Sequence, residues 1–219
     1  MPLQQRIYLV LGIGTDVGKT FFVEKICKNL RKNKLSTAAI KPIASGFQLD
    51  DPNSDSAKIL AALGLEISKE NIKKITPWRF AQASSPHFAA QKNGEEINFD
   101  ELKNFCLSAI SAAEKSGDFL FIEAAGGVMT PISYQKTFLD LAAALQLPTL
   151  LVAANYLGSI SHTLCCVEAL KSRGILLEKI ILNELPNQGQ SALASISDFK
   201  NTLESFVGGE VVILDELLA

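Results

Sequence analysis

A glycine-rich segment near the N-terminus constrains this chain more than any other feature. An apolar stretch ends at Gly12, and the segment 12–20 reads G-I-G-T-D-V-G-K-T before a helical pattern begins. A strand, loop and helix in this order point backbone N–H groups and the positive end of a helix at phosphates. The lysine of such a loop reaches the outer phosphates, and the hydroxyl after it ligates Mg²⁺. Strict G-x-x-x-x-G-K-T would need glycine at Ile13, but Gly18-Lys19-Thr20 is intact, so the segment predicts nucleotide binding.

Apolar runs of strand length alternate with amphipathic stretches along the rest of the chain. Most of these runs are apolar throughout, as in strands that helices cover on both faces of a parallel sheet. We therefore expect an α/β fold, a three-layer sandwich with a mainly parallel sheet, in one domain over residues 1–219. The predicted strands are 6–12, 37–41, 119–123, 148–154, 179–183 and 210–214, and the predicted helices are 18–32, 54–63, 99–115, 138–145, 159–173 and 191–206. The stretch 65–94 is the least regular.

Composition and charge exclude several kinds of partner. Lys and Arg total 21 against 23 Asp and Glu, so the chain lacks the basic surplus that drives nucleic-acid binding. Apolar runs fall short of the roughly 20 residues of a membrane span. No export signal is visible, so we expect a cytoplasmic protein without membrane or nucleic-acid partners. The four cysteines lack metal-ligand spacing and fall in predicted helices, which favours structural thiols.

Carboxylates that hold Mg²⁺ must accompany the loop, because this ion usually takes one or two carboxylates together with phosphates and water. Glu123 ends an apolar strand at the edge where ligands bind in open parallel sheets, although a solvent-facing strand end would have the same pattern. Ala124, Ala125, Gly126 and Gly127 follow it, and the glycines allow the backbone to approach a ligand closely.

The second carboxylate is less certain from local spacing. Asp55 begins a predicted helix, where an Asp is commonly only a cap or a favourable first-turn charge. Asp50 and Asp51 compete with it for the same role.

A second lysine stands where another strand meets the same edge. Lys41 follows the run 37–40, and its charge would help an anionic nucleophile approach a phosphate, because two anions at about 4 Å repel by around 1 kcal/mol even in water. A lysine whose amine simply reaches solvent is the alternative.

Several segments together resemble the dethiobiotin synthetase family. They occur in the family's order and approximate spacing over nearly the whole chain: 12–20, 41–46, 53–55, 85–87, 123–127, 157–162 and Asn183. K-P-x-x-S-G followed by N-S-D and S-P-H is much more specific than the phosphate loop alone. The resemblance favours Asp55 and Lys41 over their alternatives, and it implies a fold of the P-loop NTPase type.

The resemblance implies a late step of biotin synthesis. ATP-dependent ligation would close 7,8-diaminopelargonic acid and CO₂ or bicarbonate into dethiobiotin, through an N-carbamate that ATP phosphorylates, with ADP and phosphate as the other products. The implied cofactor is Mg²⁺, with ATP as co-substrate. An anionic carbamate explains why two lysines and a metal ion surround a γ-phosphate.

The resemblance also implies a role for individual residues. Lys41 and Lys19 would be catalytic, and Thr20, Asp55 and Glu123 would hold Mg²⁺. Substrate would contact Lys41, Ser45, Ser159, Ile160 and Ser161. The implied ATP site comprises Asp16, Val17, Gly18, Lys19, Thr20, Phe21, Asp55, Glu123, Ala124, Ala125, Gly126, Asn183 and Glu184.

Members of this family are homodimers in which substrate lies at the subunit interface. The substrate carboxylate would meet a helix that begins at Ser159-Ile160-Ser161 of the partner subunit, and helix N-termini accept anions. Ordinary capping by either serine is compatible with the same role.

Three positions depart from the family pattern. Gly14 stands where Asp is usual, and Ser161 replaces a common Asn. The sequence also ends soon after 209–214, without the expected proline-containing turn and following helix. In the family that turn lines the adenine pocket together with Asn183 and its neighbour. We therefore expect weaker discrimination among nucleoside triphosphates.

Two alternative functions are also compatible with a phosphate loop in an α/β fold. Nucleotide-switch ATPases of the chromosome-partitioning type have the same broad fold, but they carry a second lysine in the loop where this chain has Gly14. A synthetase-like domain reused for binding or regulation is the other alternative, although Lys19, Lys41, Asp55 and Glu123 argue for retained chemistry.

Overall fold

A parallel sheet of six strands forms the centre of the molecule in the computed structural model, which describes residues 3–49, 51–185, 195–208 and 210–218. The strands are β1 (Ile7–Gly12), β2 (Thr37–Ile40), β3 (Ile43–Ser45), β4 (Trp78–Phe80), β5 (Phe119–Glu123), β6 (Thr149–Ala154), β7 (Leu177–Asn183) and β8 (Glu210–Ile213). The helices are α1 (Lys19–Lys32), α2 (Asp55–Leu63), α3 (Lys69–Ile75), α4 (Pro86–Lys92), α5 (Phe99–Ser116), α6 (Phe138–Leu145), α7 (Ser159–Ser172), α8 (Ile196–Val207) and α9 (Leu214–Leu218).

The order of the strands places helices on both faces of the sheet. The order is β2-β5-β1-β6-β7-β8, and each neighbouring pair is parallel. The crossover through α1 runs from β1 towards β2, whereas those through α6 and α7 run in the opposite direction. Because parallel crossovers are right-handed, the two directions put their helices on opposite faces. The packing of α1 on α2, and of α5 on α6, is consistent with this, so the expected three layers are confirmed.

The reversal of direction also creates the ligand crevice. The connections that leave β1 and β5 turn to opposite faces, and in open α/β sheets ligands bind at such a switch point, beyond the carboxyl ends of the strands. β5 lies between β1 and β2, with Val10 beside Glu123 in the register. The ends of three strands therefore bring the phosphate loop, Glu123 and Lys41 to one edge.

Most predicted strands and helices are confirmed to within a few residues. Most of the elements that were not predicted lie in one stretch of the chain. The irregular stretch 65–94 contains α3, β4 and α4, and β4 pairs with β3 in a second, two-stranded parallel sheet. The helix predicted from residue 191 begins at Ile196, and residues 191–194 lie outside the described part of the chain. A short helix, α9, follows β8 directly and packs on α1, which corrects the expectation that no helix follows 209–214.

Apolar side chains of the central strands fill the core on both faces of the sheet. Tyr8, Leu9, Val10 and Leu11 of β1 are each at most 1% exposed, as the continuous apolar runs predict. No helix in the described ranges is long and apolar enough to cross a membrane. One domain over 1–219 stays a prediction, because the described ranges do not cover the whole chain.

The cysteines lie in helices, as predicted, and three of them, Cys27, Cys106 and Cys166, pack in or against the core. Cys27 and Cys106 are fully buried, and burial raises the pKa of each thiol to about 12. Cys166 is partly buried, whereas Cys165 is exposed, so the interpretation as a packed small hydrophobe is wrong for Cys165.

Candidate active site

A cavity of about 790 Å³ opens at the carboxyl edge of the sheet, beside the phosphate loop. Residues from the loop, α1, α2 and the ends of three strands line it. The lining combines charged side chains of both signs with serine and threonine hydroxyls. Such a cavity suits a polyanionic ligand that arrives with a metal ion.

The phosphate loop wraps around the side chain of Lys19. Lys19 Nζ donates a hydrogen bond of 2.7 Å to the Gly14 carbonyl, and the side chain crosses Gly12 so closely that a Cβ there would lie 2.9 Å from Lys19 Cδ. Gly14 has no such constraint, since its nearest neighbour to an added Cβ would be Val17 Cγ1 at 4.0 Å. A side chain at position 14 would therefore fit the loop as it stands.

Lys19 is held in an environment that disfavours its charge. Only 6% of the residue is exposed, and burial together with the nearby Lys41 ammonium lowers the pKa of Lys19 to about 8. A phosphate group would reverse this effect, because an anion within a few ångströms favours the cationic form. The loop thus presents a lysine whose charge is stabilised when an anion binds.

Lys41 contacts all three predicted metal ligands. Its Nζ lies 2.8 Å from Glu123 Oε1, forms a very short contact with Asp55 Oδ2, and donates to Thr20 Oγ1 at 3.4 Å. Glu123 is completely buried and Lys41 is 6% exposed, so neither is the solvent-facing group that the alternatives proposed. Thr20 Oγ1 in turn donates to Glu123 Oε1 at 2.6 Å.

The charges of this cluster stabilise one another. Burial alone would lower the pKa of Lys41, but the carboxylates of Glu123 and Asp55 outweigh it and raise that pKa above its ordinary value. Burial would likewise raise the pKa of Asp55, but Lys41 outweighs it and the pKa of Asp55 is lowered. Lys41 is therefore cationic and Asp55 anionic at neutral pH.

Helix α2 explains why Asp55, rather than its neighbours, belongs to the site. Ser54 is the N-cap residue and accepts a hydrogen bond from Ala57 N, which leaves the Asp55 carboxylate free of capping. Asp51 instead accepts from Asn53 N at 2.8 Å in a local turn. Asp50 lies outside the described residues.

The oxygen atoms of this cluster fit a hard divalent cation. Glu123 Oε2 is buried and, within the described ranges, has no hydrogen-bond partner. Unpartnered buried carboxylate oxygens are costly, and a metal ion would satisfy this one. No group of three His, Cys, Asp or Glu that could hold a metal occurs among the described residues. Two carboxylates and one hydroxyl leave room for phosphate and water ligands, as Mg²⁺ requires.

The glycines after β5 serve two different purposes. Gly126 lines the cavity in a left-handed conformation with φ 67°, as expected of a segment that approaches a ligand. Gly127 instead packs against the phosphate loop, where an added Cβ would lie 3.1 Å from the Ile13 carbonyl oxygen. Thr130 Oγ1 accepts a hydrogen bond from Gly127 N at 2.7 Å and holds this turn.

The structure brings most of the predicted site residues to one cavity. Those that line it are Asp16, Gly18, Lys19, Thr20, Phe21, Lys41, Ser45, Asp55, Glu123, Ala125 and Gly126. Val17 and Ala124 are buried and do not line it. Asn183 ends β7 and contacts the loop at Val17, whereas Glu184 follows β7 and is exposed. Ser159, Ile160 and Ser161 form the first turn of α7 and are not part of the lining in this chain.

Three polar lining residues went unrecognised in the sequence. Lys58 lies one helical turn after Asp55 on α2, and that i, i+3 spacing is the signal that would have found it. Ser84 and Thr130 lie in loops, where no periodic pattern marks their direction. The Ser84 hydroxyl is buried and unpartnered within the described ranges, beside Ser85 of the S-P-H segment.

Comparison with known proteins identifies the family. A model described as an AAA domain matches residues 6–213. An ATP-dependent dethiobiotin synthetase from Methylobacterium nodulans is 39% identical over 181 residues, which are 81% of this chain and 80% of that protein. The chain belongs to the dethiobiotin synthetase family. A synthetase of the same name from Francisella tularensis subsp. holarctica is 34% identical over 202 residues, covering 92% of this chain and 88% of that protein.

Solved structures that are more distant in sequence share the fold. The MinC:MinD cell division protein complex of Aquifex aeolicus matches with a TM-score of 0.55 and 15% identity, over 95% of this chain and 81% of that chain. Chloroplast FtsY from Physcomitrella patens matches with a TM-score of 0.52 and 13% identity, over 96% of this chain and 58% of that chain. These matches confirm the α/β fold for this member of the dethiobiotin synthetase family.

Proposed function

We propose that this chain catalyses the ATP- and Mg²⁺-dependent closure of 7,8-diaminopelargonic acid with CO₂ to dethiobiotin, ADP and phosphate. The single observation that carries the proposal is the cluster in which Lys41 contacts Asp55, Glu123 and Thr20 beside the phosphate loop. A phosphate loop alone would suit any nucleotide hydrolase. A second buried lysine at the same edge suits a reaction whose nucleophile is itself an anion.

The proposed reaction has three steps. One amine of the diamine adds to CO₂ and loses a proton, which gives an N-carbamate. A carbamate oxygen then attacks the γ-phosphorus as the bond to the bridging oxygen breaks, and ADP leaves. The second amine attacks the carbonyl carbon, loses a proton and displaces phosphate, which closes the cyclic urea.

Each side chain of the site has its own role in the phosphoryl transfer. Lys19 binds the β- and γ-phosphate oxygens, with the loop N–H groups around them. Lys41 neutralises charge on the carbamate and on the phosphoryl group as they approach. Thr20, Asp55 and Glu123 would hold Mg²⁺, which supplies charge neutralisation on the phosphates when it is bound. We also assign Asp16, Val17, Gly18, Phe21, Ala124, Ala125, Gly126, Asn183 and Glu184 to the nucleotide site.

The diamine would bind at the end of the cavity that β3 provides. Ser45 ends β3 and lines the cavity, so its hydroxyl is placed to hydrogen-bond substrate. The first turn of α7 lies outside the lining of its own chain, which supports its proposed use by the partner subunit of a homodimer. Ser161 is exposed there beside Leu157, which is 78% exposed, whereas Ser159 is buried.

Product analysis tests this proposal directly. The protein is incubated with MgATP, the diamine and ¹³C-bicarbonate, and the products are analysed by mass spectrometry. We expect a cyclic urea that carries one ¹³C atom, formed in equal amount to ADP. The matched control is Lys41→Ala, which keeps the phosphate loop but lacks the charge beside the nucleophile. ADP formation without any labelled urea would contradict the proposed reaction.

A further inference from the structure

The side chain of Asn183 holds the phosphate loop from behind. Asn183 ends β7, beside Ala154 of β6, and its Nδ2 donates a hydrogen bond of 3.2 Å to the Val17 carbonyl. Both residues are buried, with exposed fractions of 7% for Asn183 and 2% for Val17. The contact joins residues 166 positions apart, so it ties the end of β7 to the loop that follows β1.

This hydrogen bond fixes the orientation of one peptide plane. The Val17–Gly18 peptide is trans, and in a trans peptide the carbonyl and the following N–H point in opposite directions. The Val17 carbonyl points at Asn183, so the Gly18 N–H points away from it, on the side where Gly18 lines the cavity. No acceptor among the described residues takes the Gly18 N–H. That N–H is therefore directed at the place a phosphate occupies in such loops.

Close packing reinforces the arrangement. Gly18 has a left-handed backbone with φ 97° as the N-cap residue of α1, and an added Cβ would lie 2.2 Å from Asn183 Nδ2. The Asn183 amide thus packs directly against the Gly18 backbone, and any residue with a Cβ at position 18 would clash with it. A rotation of the Val17–Gly18 peptide would cost the buried hydrogen bond and leave a buried carbonyl unpaired.

We propose that Asn183 is a positioning residue, which orients the Val17–Gly18 peptide so that the Gly18 N–H binds the phosphates of the nucleotide. This role is separate from the contact with adenine that the family resemblance implies for Asn183. It rests only on the phosphate-binding part of the proposed function, and it predicts that Asn183 matters even for a ligand without a base.

Inorganic tripolyphosphate is the probe that separates the two roles. Its complex with Mg²⁺ presents phosphates but has no base. Its affinity is measured by competition with a fluorescent ATP analogue for wild-type protein, Asn183→Ala and Asn183→Leu. The leucine has nearly the shape of the asparagine and no charge, but it cannot donate to Val17. Asn155→Ala is the matched control, because Asn155 directly follows the neighbouring strand β6, is 6% exposed and accepts from Leu185 N instead of contacting the loop.

Both Asn183 variants should bind tripolyphosphate about three- to tenfold more weakly, which corresponds to the loss of one ordinary hydrogen bond. Asn155→Ala should bind it like the wild type, and melting temperatures measured alongside show that the variants are folded. Weakened binding of ATP with unchanged binding of tripolyphosphate would overturn the inference and leave Asn183 with a base contact alone. Failure of wild-type protein to bind tripolyphosphate would contradict the phosphate site itself.

Discussion

Lys41 Nζ lies 2.8 Å from Glu123 Oε1, and the same ammonium contacts the other two side chains that would ligate Mg²⁺. A metal ion held by these three side chains would share a single set of oxygens with Lys41. Because both are cations, full coordination of the metal would require the ammonium to turn away from the ligands. Lys41 lines the cavity, so it would then face the place where the nucleophile and the γ-phosphate would meet.

Removal of the Lys41 charge should strengthen metal binding while it weakens catalysis. With Lys41→Met and saturating ADP, we expect the Mg²⁺ concentration at half-saturation to fall at least about threefold, because a neighbouring cation no longer competes. Calorimetric titration with Mg²⁺ measures it. Lys58→Met is the matched control: Lys58 lines the same cavity and its charge acts on Asp55 only through space, because its side chain has no hydrogen bond or ion pair with the described residues, so any fall should be smaller than for Lys41→Met. An unchanged or higher half-saturation point for Lys41→Met would contradict the shared-ligand arrangement.

Lys41→Ala should separate binding from turnover. We expect ATP to remain bound, with its KM near the wild-type value, while kcat falls by roughly 10²–10³, as for loss of one charge-stabilising group. Steady-state kinetics with saturating diamine and bicarbonate measures both constants. Normal turnover in this variant would remove Lys41 from the mechanism.

Nucleotide binding should take up protons near pH 8. The free protein has a Lys19 pKa of about 8, lowered by burial and by Lys41, and bound phosphate raises it again. At pH values well below 8 Lys19 is already protonated, so uptake is small; near 8 about half a proton should bind, and affinity for MgADP should fall as the pH rises further. Calorimetry in two buffers of different ionisation enthalpy measures the uptake. Heats that are independent of buffer at pH 8 would contradict the assigned environment of Lys19.

The two glycines at the start of the loop should respond differently to substitution. Gly12→Ala would place a Cβ 2.9 Å from both Cδ and Nζ of Lys19, so the lysine must shift and nucleotide affinity should fall about tenfold or more, with little change in melting temperature. Gly14→Ala meets nothing nearer than 4.0 Å and should bind nucleotide like the wild type. Equal affinities for the two variants would show that the path of Lys19 over Gly12 is unimportant.

The sequence predicted the central sheet well because its signals are local. Continuous apolar runs marked each of the six strands, and a phosphate loop between strand and helix needs only nearby residues. The second sheet was missed because β3 and β4 are three residues each, too short for a period to be recognised. The helices α3 and α4 were missed as well, because Pro77 and Pro86 in this stretch indicated turns.

Pairwise contacts in the site could not be predicted from local sequence, because they depend on the order of the strands in the sheet. Nothing in local spacing says that β5 separates β1 from β2, and that placement alone brings Glu123 between Thr20 and Lys41. Asp55 was distinguishable from Asp51 only through the family resemblance, since its capping neighbour Ser54 is visible in the structure alone. The contact of Asn183 with Val17 spans 166 positions and had no sequence signal.

Phosphate release from MgATP is the most direct test of the central claim, that the lysine and metal-ligand cluster serves a substrate-dependent synthetase. Initial rates are measured with neither co-substrate, with the diamine alone, with bicarbonate alone and with both, in CO₂-depleted buffer. We expect rapid release only when both are present. Release at the same rate in all four conditions would contradict it and would place the protein among nucleotide-switch ATPases that share this fold.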